Sequence, residues 1–219
     1  MANFRYTGWG VFMVKEHDIS KLIQDSADLE LVVSALRKTL GFSVVGITLT
    51  EFFVKVLNLL HSNNILFAVA GGFARSVYAP YRLTKDIYLS ISTTDLKKID
   101  SILIKNGFTK FDELEYNTPA KRIIHKYKSD DKELDLITYD AKFTSAILQS
   151  VQQGNLMGHV VNIVSPEMLV LQKMLSFRNK DKADIIEIRD AIKLDMVLIR
   201  KWASNLKMFD RLTVFDEEK

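Results

Sequence analysis

Residues 65–70, Ile-Leu-Phe-Ala-Val-Ala, form an unbroken apolar run that ends in the only adjacent glycine pair of the chain, Gly71-Gly72. Such a run reads as a strand buried on both faces that enters a tight turn. Residues 73–78 then read as a short helix that stops near Pro80. Only nine glycines and three prolines punctuate 219 residues, so a doubled glycine here limits what the chain can build. Two residues without Cβ let the backbone approach a ligand closely, and the first amides of the following helix can hold phosphate oxygens.

The flanking segments set this turn in an α+β frame. Residues 17–61 show helical periodicity in two runs. The first passes through Ile19, Leu22, Ile23, Leu29, Val32, Val33 and Leu36 to a stop at Gly41; the second, from an N-cap at Thr50, carries Phe52, Phe53, Val56, Leu57 and Leu60. Beyond the glycines, 87–91 reads as a strand and 95–106 as an amphipathic helix ended by Gly107. Residues 122–127 and 133–139 read as a hairpin around the polar turn Lys128-Ser-Asp-Asp-Lys132. Residues 143–153 return to helix and 160–164 form a last strand. Ser165 as N-cap, Pro166 at the first helical position and Glu167 in the first turn then open a helical C-terminal part. There, a polar break at Asn179-Lys180 separates the first helix from a second bearing Ile185, Ile188 and Ile192, and a third carries Val197, Leu198 and Trp202. The expected layout is a mainly helical segment over 1–61, an α+β core over 62–164 and a helical bundle over 165–219.

Composition removes several classes of function. With no cysteine there is no disulfide framework, thiolate metal site or cysteine nucleophile. An apolar content of 47% supports a real core, and no apolar window approaches the ~20 residues that cross a bilayer. The N-terminal stretch lacks the basic and apolar regions of a signal peptide. A soluble, cytoplasmic protein without membrane contact is expected. The net charge of +3 permits a nucleic-acid partner without requiring one. His17, His61, His125 and His159 show no metal-ligand spacing, and neither a P-loop nor GxGxxG is present.

Asp86 opens the strand after the glycine turn, where its carboxylate could hold Mg²⁺, a hard cation that shares its shell with substrate phosphates. Residues i and i+2 of a strand face the same way, so a two-carboxylate site would want an acid at position 88. The run from Phe67 through Gly71, Gly72 and Ala74, with Arg82, Thr84, Asp86, Ile87 and Leu89, resembles the signature of the minimal nucleotidyltransferase fold. More narrowly, it is similar to the AbiEii-type group, which includes toxins of toxin–antitoxin systems. The resemblance spans roughly residues 62–194. It implies a mixed β-sheet flanked by helices, a third carboxylate at Asp135, and a post-sheet helical motif at Lys173, Arg178, Lys180, Asp181 and Asp184. It also implies an NTP substrate, Mg²⁺ or Mn²⁺ on Asp86 and Asp135, and RNA, a protein or a small molecule as hydroxyl acceptor; a toxin would have a cognate antitoxin. On this reading Gly71, Gly72, Arg82, Thr84, Arg178, Lys180 and Asp181 bind the nucleotide, and Lys173 joins the two aspartates in catalysis.

One position departs from the pattern. Residue 88 is Tyr, a phenol neutral at pH 7 and a poor Mg²⁺ ligand. The chain could then work with one metal, recruit Glu113 or Glu115, or survive as a degenerate module that only binds nucleic acid or a protein. Structural readings stand beside the functional ones. The glycine pair could be a plain strand-to-helix turn, Asp86 a cap or partner of Arg82, and Asp135 a solvent-facing strand residue. Asp181 and Asp184 could cap a helix, and Lys173 and Arg178 could belong to a solvated face.

Overall fold

The structure, a computed structural model, describes residues 48–80, 84, 86–156 and 158–216. The expected helical run through Ile19 and Leu36 to Gly41 lies outside them. Helix α1 (Leu49–Ser62) begins with a reciprocal cap: the Thr48 hydroxyl accepts the Glu51 N–H at 3.1 Å, and the Glu51 carboxylate accepts the Thr48 N–H at 2.7 Å. The start therefore falls at Thr48 rather than Thr50, because the cap needs an acid three residues on, and Glu51 has that spacing only from Thr48. The stripe Phe52, Phe53, Val56, Leu57 and Leu60 is buried as its periodicity predicts.

Next come β1 (Phe67–Ala70), α2 (Gly71–Tyr78), β2 (Ile87–Ile91), α3 (Leu96–Lys105), β3 (Thr109–Tyr116), β4 (Arg122–Ser129) and β5 (Lys132–Thr138). They are followed by α4 (Ala141–Gln149), β6 (Gln152–Leu156), β7 (His159–Ile163), α5 (Pro166–Ser176), α6 (Asn179–Ala191), α7 (Met196–Asn205) and a 3₁₀ turn over Phe209–Phe215. The strands form one mixed sheet ordered β3-β4-β5-β2-β1-β7-β6. Pairs β2/β5 and β1/β7 are parallel and the others antiparallel. This is the mixed sheet flanked by helices that the sequence implied.

Two strands, β3 and β6, escape the apolar pattern, and both lie at sheet edges. A third difference is the hairpin turn: β4 and β5 run on to Ser129 and Lys132, so the connection is only Asp130-Asp131, with Asp130 at φ +56°. Asn179 and Lys180, expected as a break, form the first turn of α6; the break is Phe177-Arg178, where Phe177 closes α5 at φ +50°. In α7 the buried face is Ile199 and Ala203, while Val197 is exposed.

Helices cover both faces. Lys55 of α1 donates to Ser129, and Tyr127 of β4 to Asp100 of α3, so α1 and α3 lie on one face. On the other, Gln172 of α5 donates to Ser90 of β2 at 2.8 Å, and Arg122 of β4 donates to Ser176 at the end of α5. Helix α5 starts as expected, with the Ser165 hydroxyl accepting the Met168 N–H and Pro166 at its first position. No helix among the described residues is long and apolar enough to cross a membrane. Thr48→Ala should lower unfolding stability by about 1 kcal/mol through loss of the cap. Urea denaturation followed by circular dichroism checks this, the midpoint falling without a change in slope.

Candidate active site

Strand register decides which side chains can meet. Tyr88 pairs with Asp135 across β2/β5, Lys126 with Asp135 across β4/β5, and Arg122 with Tyr116 across β3/β4. All of these therefore project from the face that α5 covers. Between that face and helices α5 and α6 lies a cleft of about 470 Å³. Gly71, Gly72, Thr84, Asp86, Asp135, Lys173, Arg178, Lys180 and Asp181 all line it. Arg82 lies outside the described residues.

The glycine pair is held by its neighbours. Gly71 has φ +64°, and a Cβ built on it would stand 2.7 Å from the Tyr88 ring; one on Gly72 would stand 2.7 Å from the Thr84 hydroxyl. The pair forms the first turn of α2, which has no side-chain cap. Asp135 is buried rather than solvent-facing, and Lys126 donates to both of its carboxylate oxygens, at 2.8 and 3.0 Å. Burial pushes the Asp135 carboxyl above its usual pKa; Lys126 opposes the rise, while Asp86 and Glu133 add to it. For Lys126 burial is the largest influence and works against the charge, but the bond to Asp135 and the charges of Asp135, Glu133 and Tyr88 together outweigh it, and the ammonium titrates higher than usual. The Tyr88 phenol is pushed up to about 12, by burial first and then by Asp135 and Asp86.

The helical wall is tied by ion pairs. Lys173 is buried with its ammonium 2.5 Å from Asp184, which also lies 3.5 Å from buried Arg75. Lys173 is therefore not part of a solvated face, and Asp184, buried within α6, does not cap it. Asp181 does cap α6, accepting the Arg178 backbone N–H at 3.2 Å, and also takes the Arg178 Nε–H at 2.8 Å. The Arg178 side chain is nonetheless largely exposed at the cleft mouth, beside Lys180.

Glu113 and Glu115 are not recruits for the site. They pair with His125 and Ile123 and so project from the opposite face, where Glu113 bonds His125 at 2.9 Å. Among the described residues no three His, Asp or Glu side chains converge as a ligand set. The donor set fits one hard cation: Asp86 and Asp135 share the cleft, and one or two carboxylates plus substrate phosphates suffice for Mg²⁺. Lys126 and Arg122 read in the sequence only as parts of basic runs, and nothing in it places them or Tyr116 at this site. A two-residue turn at Asp130-Asp131 places Lys126 opposite Asp135 by counting alone, and the longer turn expected from the sequence concealed that.

No protein-family profile matches the chain, and no curated protein resembles it in sequence. Solved structures do. The antibiotic-resistance factor ANT(2'')-Ia superposes with TM-score 0.55 at 15% identity, over 74% of this chain and 95% of that one. The same protein in complex with adenylyl-2''-tobramycin gives 0.49 at 17%, over 78% and 96%. The lincosamide adenylyltransferase LnuA bound to lincomycin gives 0.46 at 14%, over 67% and 99%. The fold is nucleotidyltransferase-like.

Asp135→Asn should not destabilise the protein at neutral pH, because the site disfavours the ionised carboxylate. A carboxyl whose pKa rises on folding adds stability at acid pH that is lost as pH climbs through the raised value. Thermal melts over that window should show the loss in the wild type and not in Asp135→Asn; a strongly lowered melting temperature for the variant would contradict it.

Proposed function

We propose that this protein is a nucleotidyltransferase that moves a nucleotidyl group from an NTP to an acceptor hydroxyl. The observation that carries the reading is the convergence in one cleft of the glycine pair, Asp86, Asp135 and the Arg178–Lys180 turn, on a nucleotidyltransferase-like sheet. The uncapped first turn of α2 at Gly71-Gly72 seats the triphosphate, with Thr84 beside it and Arg82 also assigned to the nucleotide. The acceptor oxygen attacks the α-phosphorus in line and the bond to the β-phosphate breaks. Pyrophosphate leaves, and the hydroxyl proton passes to Asp86, which has no ion pair among the described residues. Arg178 and Lys180 compensate charge on the departing phosphates. Lys173, committed to Asp184, and Asp181, committed to Arg178, hold the helical wall in place. Asp86 and Asp135 would hold a Mg²⁺ or Mn²⁺ ion, which would supply charge neutralisation for the phosphates.

The motif order supports a place near the AbiEii-type group, with RNA, a protein or a small hydroxyl compound as acceptor, a cytoplasmic site of action and, for a toxin, a cognate antitoxin. We read 62–164 as the catalytic core, 1–61 as a helical segment and 165–219 as the part that closes the cleft. Tyr88 favours a second reading, in which the fold binds nucleic acid or a protein without chemistry. The two are separated by incubating the protein with α-labelled NTPs, Mg²⁺ or Mn²⁺, cellular RNA, protein and hydroxyl-bearing small molecules. Label transfer with pyrophosphate release is expected, and Asp86→Asn should reduce it by roughly 100-fold or more. Transfer that is undetectable with every NTP, together with salt-dependent binding indifferent to Asp86→Asn, would favour the binding module.

A further inference from the structure

Strands β2, β5 and β4 present one row of side chains on the cleft floor: the Tyr88 phenol, the Asp135 carboxylate and the Lys126 ammonium. An ammonium has three N–H donors. Two go to the Asp135 oxygens at 2.8 and 3.0 Å, and the half-buried Lys126 side chain keeps 19% of its surface exposed beside the cleft. Glu133 stands 3.5 Å from the same nitrogen, so the charge is anchored from two sides. Glu113 and Glu115 of β3 face the other way, and Asp112, which shares the face of Lys126, does not line the cleft.

Charge arithmetic gives this row a meaning. A carboxylate at position 88 together with a divalent ion would contribute a net single positive charge. A neutral phenol together with the Lys126 ammonium contributes the same. We infer that Lys126 is a polyphosphate-binding cation built into the cleft, neutralising charge where the two-metal scheme of such sites uses a second ion, so that NTP binds with one divalent ion rather than two. This rests on the NTP-binding reading proposed above. The third ammonium donor reaches a phosphate oxygen while the other two hold Asp135 in line with Asp86. Tyr88 fills the space an acid and its ion would need, and Gly71 leaves room for that ring.

The test counts ions. The full chain is saturated with the α,β-methylene analogues of ATP, GTP, CTP and UTP, and bound Mn²⁺ is titrated by electron paramagnetic resonance. One Mn²⁺ per chain is expected with the analogue that binds. Lys126→Met should weaken that analogue about tenfold or more, the loss of one charge-assisted hydrogen bond, while Lys126→Arg restores most of the affinity. The double variant Lys126→Met/Tyr88→Asp should bind two ions. Two Mn²⁺ in the wild type, or unchanged affinity in a folded Lys126→Met, would overturn the inference and leave the NTP reading intact. Failure of every analogue to bind would overturn both. The wild-type count does not depend on any variant folding.

Discussion

The parallel register between β2 and β5 is the constraint on which the cleft depends. Ile87, Leu89 and Ile91 on one strand, and Leu134 and Leu136 on the other, are fully buried on the face covered by α1 and α3. A slip of one residue in either strand would move that strand's apolar set onto the cleft side and its Tyr88 or Asp135 into the core. The burial that stabilises the back of the sheet thus fixes the chemistry of its front. Asp135 sits where burial disfavours its charge, as is common where a site serves a ligand rather than the fold.

Legibility in the sequence followed burial. Strands β1 and β2 lie at the sheet centre, and their apolar runs announced them; α5 was marked by Ser165 and Pro166 before any periodicity was needed. The edge strands carried no such signal. Thr109–Tyr116 is exposed along nearly all its length and Gln152–Leu156 is polar, because an edge strand has one neighbour and here little covering it. The placing of Gly71, Gly72, Asp86 and Asp135 around one space was readable from motif order. Lys126 was not, because its role comes from a partner on another strand, and that pairing is set by the length of the Asp130-Asp131 turn.

The helical wall shows how irregular backbone positions charge. Phe177 takes a left-handed conformation at the end of α5, the chain reverses at Arg178, and Asp181 caps the new helix while gripping the arginine that precedes it. One carboxylate therefore shapes the turn and orients a cation at the cleft mouth. Lys173 and Asp184 do the corresponding work inside, where pairing is needed because an unpaired buried charge is costly.

The glycine pair finally has two causes, and they are coupled. A turn that brings backbone amides toward phosphate would accept glycine for ligand access alone. Here the chain's own side chains also demand it: the Tyr88 ring occupies the space of a Cβ at 71, and the Thr84 hydroxyl that of a Cβ at 72. Shortening residue 88 to Asp would still leave a Cβ and a Cγ, atoms that in Tyr88 stand 3.0 and 2.9 Å from a Cβ at 71, and Gly71 at φ +64° is a conformation where a side chain is strained whatever the space. Tyr88 is therefore packed into the turn rather than merely standing in for a lost acid. That packing ties the glycine turn and the Lys126–Asp135 pair to one ring, which touches the first and lies beside the second.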